Sequence, residues 1–169
     1  RKAFEYHLGY QCFGGTGTGE PLGWKVPDST FKVERDTADT ISEVDLRTMF
    51  GRLFATDPGS LFWFISWCGW STISGLEDTN GNRLYMQDYS QGMPPTVMNI
   101  PVIWAYETPY LGTEGDANLV DLSQYGVALG DGLEIFASEH RYAEKRAIYY
   151  VIYYSVDAKP LITSKIALA

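Results

Sequence analysis

Seven consecutive residues, 61–67, read LFWFISW and are apolar at every position except Ser66. A run this short falls well below the ~20 residues a membrane helix needs, so it has to be buried inside a folded protein. It shows no polar alternation, and the turn residues Asp57-Pro58-Gly59 stand just ahead of it. A short, continuously apolar run bounded by turn signals predicts a strand covered on both faces. Two layers of structure must therefore pack around it. The chain of 169 residues can supply them. At this size roughly 70% of the unfolded surface can be buried.

The flanking segments suggest what those layers are. Ser42 and Asp45 stand three apart ahead of an apolar series, the spacing of a capping box that opens a helix. Val44, Leu46, Met49, Phe50, Leu53 and Phe54 then form a broad apolar stripe. Residues 1–12 place Phe4 and Leu8 four apart beside Ala3, which suits the last turns of an amphipathic helix, although Gly9 weakens the pattern. Residues 14–24, GGTGTGEPLGW, read as a glycine-dense loop with a proline stop, and residues 25–34 have strand character through Val26, Phe31 and Val33.

Further along, Asn80-Gly81 between Leu76 and Leu84-Tyr85-Met86 is a two-residue hairpin signal. Pro94, Pro95, Pro101 and Pro109 surround the apolar residues 102–104, which predicts a short strand between bends. Residues 118–122, 132–137, 147–156 and 161–168 read as strands. In 147–156, Ile148, Tyr150, Ile152 and Tyr154 share one face, and Tyr149, Val151 and Tyr153 the other. Both faces are therefore expected to be covered. The expected class is α+β, sheet-rich, with one clear internal helix.

An aromatic content of 15% excludes a mainly disordered chain. The net charge of -8 has the wrong sign for a general nucleic-acid binder, which needs cations against phosphates. Solubility alone explains an acidic surface. Cys12 and Cys68 lack any CxxC or histidine neighbours, so free thiols are expected and zinc is not. The first residue is Arg1, not Met, and no charged-then-apolar leader opens the chain, so a piece of a longer product is expected.

No segment assembles recognisable chemistry. A phosphate loop ends in Gly-Lys-Ser/Thr, whereas Glu20 follows Gly19 here and would repel phosphates. A dinucleotide fingerprint needs a helix after the glycines, and Pro21-Leu22-Gly23 follows instead. His7 and His140 lie in no nucleophile motif. Glu77/Asp78 and Glu114/Asp116 could imitate glycosidase carboxylates, but their neighbours are turn residues. Trp63, Trp67 and Trp70 could form a sugar platform. The apolar run favours core packing for Trp63 and Trp67 and leaves Trp70 undecided. No catalytic, cofactor-binding or metal-binding residue is expected.

From Gly14 onward the order of features resembles the major capsid protein family of tailed bacteriophages. The glycine loop at 15–24 (GTGTGEPLGW) resembles the loop that follows the family's spine helix. The segment Val44-Asp45-Leu46-Arg47-Thr48-Met49 resembles its "xDLxxM" helix. Trp63 and Asp78-Thr79-Asn80-Gly81 resemble its tryptophan strand and hairpin, and Ile100-Pro101-Val102 its "PV" segment. Residues 109–116 (PYLGTEGD) and 120–125 (VDLSQY) resemble two further loop elements.

The resemblance covers nearly the whole chain. It implies the tailed-phage major capsid fold: the end of a spine helix over 1–13, an axial domain over 14–120 and peripheral-domain strands over 121–169. It also implies a shell subunit in a virion, not an enzyme. Its partners would be other copies, with scaffolding, portal or decoration proteins in addition; sequence-specific nucleic acid and membrane are not implied. An encapsulin-like compartment shares the same implied fold. An aromatic-rich carbohydrate-binding module or a small hydrolase is the competing class.

Overall fold

The computed structural model describes residues 2–25, 30–53, 57–85, 92, 94–138, 140–141, 143–145, 148–161 and 166–168. Val26, Phe54, Met86, Ala147 and residues 162–165, all assigned above to helix or strand features, lie outside the described residues. Three helices are described, α1 (Lys2–Gly14), α2 (Glu43–Arg52) and α3 (Trp67–Ser74). The strands are β1 (Thr30–Lys32), β2 (Leu61–Ile65), β3 (Thr96–Val97), β4 (Ile100–Trp104), β5 (Ala117–Asp121), β6 (Tyr125–Ser138), β7 (Tyr149–Pro160) and β8 (Ile166–Leu168). They form a six-stranded sheet in the order β1-β8-β5-β2-β4-β3 and a separate two-stranded ribbon, β6-β7.

The apolar run becomes β2, placed between β4, to which it is parallel, and β5, to which it is antiparallel. Leu61, Trp63 and Ile65 point into one cluster with Leu46, Met49 and Ile73 from α2 and α3. Phe64, on the opposite face, packs with Phe13, Trp24 and Val120. Cover on both sides is why the run needs no polar alternation. Trp63 is fully buried, and its Nε1–H donates to the Val97 carbonyl at 3.2 Å, which satisfies the one polar atom it takes inside.

The strand stops at Ile65, two residues short of the expected end. Ser66 instead caps α3, its Oγ accepting from the Gly69 amide at 3.1 Å. This helix went unread because its N-cap and first turn lie inside or next to the apolar run. Trp67 consequently leaves the core and is 55% exposed, while Trp70 turns inward to 7%.

The capping box forms as expected. Ser42 Oγ accepts from the Asp45 amide at 3.2 Å, and Asp45 Oδ2 accepts from the Ser42 amide at 2.9 Å. The stripe is narrower than the sequence suggests: Leu46 and Met49 are buried, but Val44 and Phe50 face solvent. Among the described residues of 25–34, the expected strand is formed by the three residues of β1. Asn80-Gly81 does turn the chain, but within a wider loop. Asp78 receives the Asn80 and Asn82 amides at 2.8 and 2.9 Å, and a single bridge joins Glu77 and Arg83. A tighter turn, Met98-Asn99 between β3 and β4, has both residues at positive φ (51° and 65°), the geometry of a two-residue hairpin without the usual glycine.

The ribbon departs furthest from expectation. β6 begins at Tyr125, not residue 132, and bulges between Leu129 and Leu133, where Gly132 takes φ 91°. Glycines inside the strand hid its first half from the alternation rule. Both faces of residues 147–156 were expected to be covered. Instead Ile148, Tyr150, Ile152 and Tyr153 are each more than half exposed, as are Val127, Leu129, Ile135 and Phe136. After the ribbon the chain returns to the body. β8 pairs parallel with β1 and antiparallel with β5, so residues 166–168 join the six-stranded sheet.

Candidate functional site

The glycine loop is a structural clasp. Gly17 and Gly19 take φ 77° and 74°, and Glu20 closes the turn by accepting from the Thr16 amide and hydroxyl, each at 2.9 Å. Those hydrogen bonds hold the Glu20 carboxyl below its ordinary range. The loop then runs back along the end of α1. Gly23 and Trp24 donate to the Gly15 and Cys12 carbonyls at 2.9 and 3.2 Å, and Leu22 donates to Ala158 of β7 at 2.7 Å. The residue that made phosphate binding implausible is the one that locks the loop.

Trp24, delivered by this clasp, ties three parts of the molecule together. Its ring meets Phe13 edge-on at 5.8 Å, Phe64 at 5.2 Å and Tyr125 edge-on at 5.4 Å. Tyr125, at the foot of the ribbon, donates its hydroxyl to the Leu22 carbonyl at 3.0 Å. Burial pushes the Tyr125 phenol far up and raises the Cys12 thiol as well, the latter against the lowering effect of a hydrogen bond to Tyr125.

The acidic pairs do not converge on a reaction centre. Asp78 is occupied by its own turn, whose amides hold its carboxyl low, with the Asn82 amide contributing most. Glu114 pairs with Lys32 at 2.6 Å and is lowered chiefly by that contact. Asp116 is fully buried, ion-paired with Arg35, and accepts the Gly112 amide at 2.9 Å, which pins the loop that precedes β5. His7 sits exposed on α1, and His140 is exposed beyond the end of β6. Among the described residues no group of three His, Cys, Asp or Glu side chains is placed to hold a metal. Both cysteines are free thiols, Cys12 half-buried and Cys68 exposed. Among the described residues no helix is long and apolar enough to cross a membrane.

The functional candidate is a surface. Seven large apolar side chains on the ribbon, and Ile148 just before β7, are more than half exposed, on a two-stranded element that is marginal by itself in water. Contiguous exposure of this kind marks a protein–protein contact. The signal was present in the sequence, as a strand apolar on both faces, but the cover was expected from this chain.

A family model for the phage capsid family matches residues 1–169. The chain belongs to the phage capsid family. Solved structures of the same fold include the capsid of an empty GTA particle, computed with C5 symmetry, which has a TM-score of 0.80 and 16% identity over 99% of this chain and 62% of that one. The capsid of the native GTA particle matches with a TM-score of 0.82, again at 16% identity, over 99% and 61% of the two chains. A chain of Gordonia phage Cozz matches with a TM-score of 0.66 at 12% identity, over 99% and 59%. The phage capsid family member thus spans about three fifths of the length of these structural neighbours. Comparison with curated proteins gives no significant match.

Proposed function

We propose that this chain is the larger part of a major capsid protein, a structural subunit that self-associates into the capsomers of an icosahedral phage or prophage shell. One observation carries this reading: beyond its foot, where Tyr125 and Ala158 pack against the body, the β6-β7 ribbon exposes apolar side chains on both its strands. A self-standing monomer would be expected to hide such a surface, whereas a subunit of a closed shell buries it against other protein.

On this reading residues 1–13 are the end of the spine helix, 14–120 the axial domain and 121–169 the peripheral strands, with β8 crossing back to the axial sheet. The change from sheet body to ribbon between Asp121 and Tyr125 supports the second boundary. The role is structural and the location is the virion, reached by assembly in the host cytoplasm. Scaffolding, portal or decoration proteins are partners of the assembled form.

Negative-stain microscopy and light scattering over a concentration series test this. The chain alone is expected to be folded and to remain a monomer or small oligomer, because shell interfaces usually bury roughly 2,000 Å² or more. The full-length product of its gene is expected to form regular shells. Full-length protein that stays monomeric under every assembly condition, or that binds a sugar at micromolar concentration, would overturn the reading.

A further inference from the structure

Trp67, expected in the core, instead lines a cleft of about 550 Å³ between α1, the start of α3 and the loop after β4. Tyr10, Tyr106 and Tyr110 line the same cleft, and all four rings are more than half exposed, the last two at 79% and 80%. Trp67 is held flat by stacking on Trp104, with ring centroids 4.4 Å apart and planes within 13°. Glu107 stands in the wall, and Gly9 permits its approach to α1: a Cβ at Gly9 would lie 2.7 Å from the Glu107 Oε1.

Four aromatic rings and a carboxylate around one cleft form an electron-rich surface. The faces of such rings attract cations, and a flat guanidinium can stack on them while donating to the carboxylate. The cleft already holds one such contact, with Lys25 Nζ 5.9 Å from the centre of the Phe13 ring.

We propose that this cleft receives the side chain of an arginine carried by a second copy of this chain. The inference rests on the self-assembly reading above. Arg47 pairs with Glu43, Arg52 donates to the Lys32 carbonyl at 2.8 Å and Arg141 lies over the Tyr149 ring at 4.8 Å, so among the described residues the exposed Arg83 is the arginine offered to a neighbouring copy. A head-to-tail contact of this kind uses two different patches, so it can close a ring of subunits.

Two measurements test the proposal. In the first, tryptophan emission of the folded chain is followed while acetyl-Gly-Arg-Gly-amide is added, with the Gly-Gln-Gly and Gly-Glu-Gly peptides as controls. The arginine peptide is expected to give a saturating change at millimolar concentration that the controls lack. Glu107→Gln and Tyr106→Ala should each weaken it by about two- to fivefold, the worth of an exposed cation–π or charge contact. Equal responses to the glutamine peptide, or none to any, would overturn the site.

In the second, sedimentation equilibrium follows self-association of the same proteins, with circular dichroism as the check on folding. Both variants are expected to associate more weakly than the parent. A binding-competent cleft whose variants self-associate like the parent would overturn the second-copy occupant while leaving the shell reading intact. Shell formation by the full-length product is a separate readout, so failure of that reading is distinguishable from failure of the cleft.

Discussion

Removing Arg35 should damage the protein more than removing the acid it pairs with. Asp116 has no exposed surface and Arg35 only 17% of its side chain, so the pair is nearly buried. In Arg35→Met the Asp116 carboxylate keeps the Gly112 amide but loses its counter-ion. An uncompensated buried charge costs about 3–5 kcal/mol, and the partial exposure of Arg35 places the loss near the lower figure. In Asp116→Asn the amide oxygen still accepts from Gly112. Arg35 keeps the Thr40 and Thr113 carbonyls at 3.3 and 3.4 Å along with its access to water. That substitution should cost about 1–2 kcal/mol, the worth of a hydrogen-bonded charge contact.

The decisive comparison is the double variant. With no charge left to strand, Arg35→Met/Asp116→Asn should be more stable than Arg35→Met alone, so the two effects are strongly non-additive. Urea unfolding followed by tryptophan emission reads this directly. With a slope of about 1–3 kcal/mol/M, the Arg35→Met midpoint should fall by roughly 1–3 M. A loss below about 1 kcal/mol, or a double variant weaker than Arg35→Met by the full cost of Asp116→Asn, would refute the argument from burial.

Four further outcomes are expected. Gly51→Ala, in α2 with open space around its Cβ position, should stabilise by about 0.5–1 kcal/mol. Gly15→Ala drives a methyl onto the Pro21 and Gln11 carbonyls and should sharply lower the melting temperature, so equal melting temperatures would contradict the clasp. Thiol titration should find Cys68 reactive in the native protein and Cys12 much slower, since burial raises its pKa, with both reactive after unfolding without reductant. The Asp78 carboxyl lies below its ordinary value, so its contribution to the 78–82 turn is present above the normal carboxylate range and is lost as pH falls through the lowered pKa. Amide shifts of Asn80 and Asn82 should titrate below the ordinary aspartate value of about 3.9, and a midpoint at or above it would refute the assignment.

What could be read from the chain alone was whatever depends on neighbours in sequence. The Ser42/Asp45 box needs only a three-residue spacing, and the glycine loop announced itself through Glu20, which cannot face phosphate. The run at 61–67 announced a buried strand, which its first five residues form, because burial removes so much apolar surface from water. The family, too, was legible from ordered short motifs.

Tertiary structure decided the rest. Ser66 could end a strand or open a helix, and the space beside Ile41 and Ile65, where Gly69 packs, resolved it in favour of the helix. Trp67 and Trp70 are equally apolar, so only the orientation of α3 assigned one to the surface and the other to the core. The ribbon gives the clearest case. Its pattern demands cover on both faces, and sequence reports that demand without saying which chain meets it. Burial is a property of the whole assembled surface, so a residue's hydrophobicity determines that it must be covered, while the packing of distant segments and of other subunits determines by what.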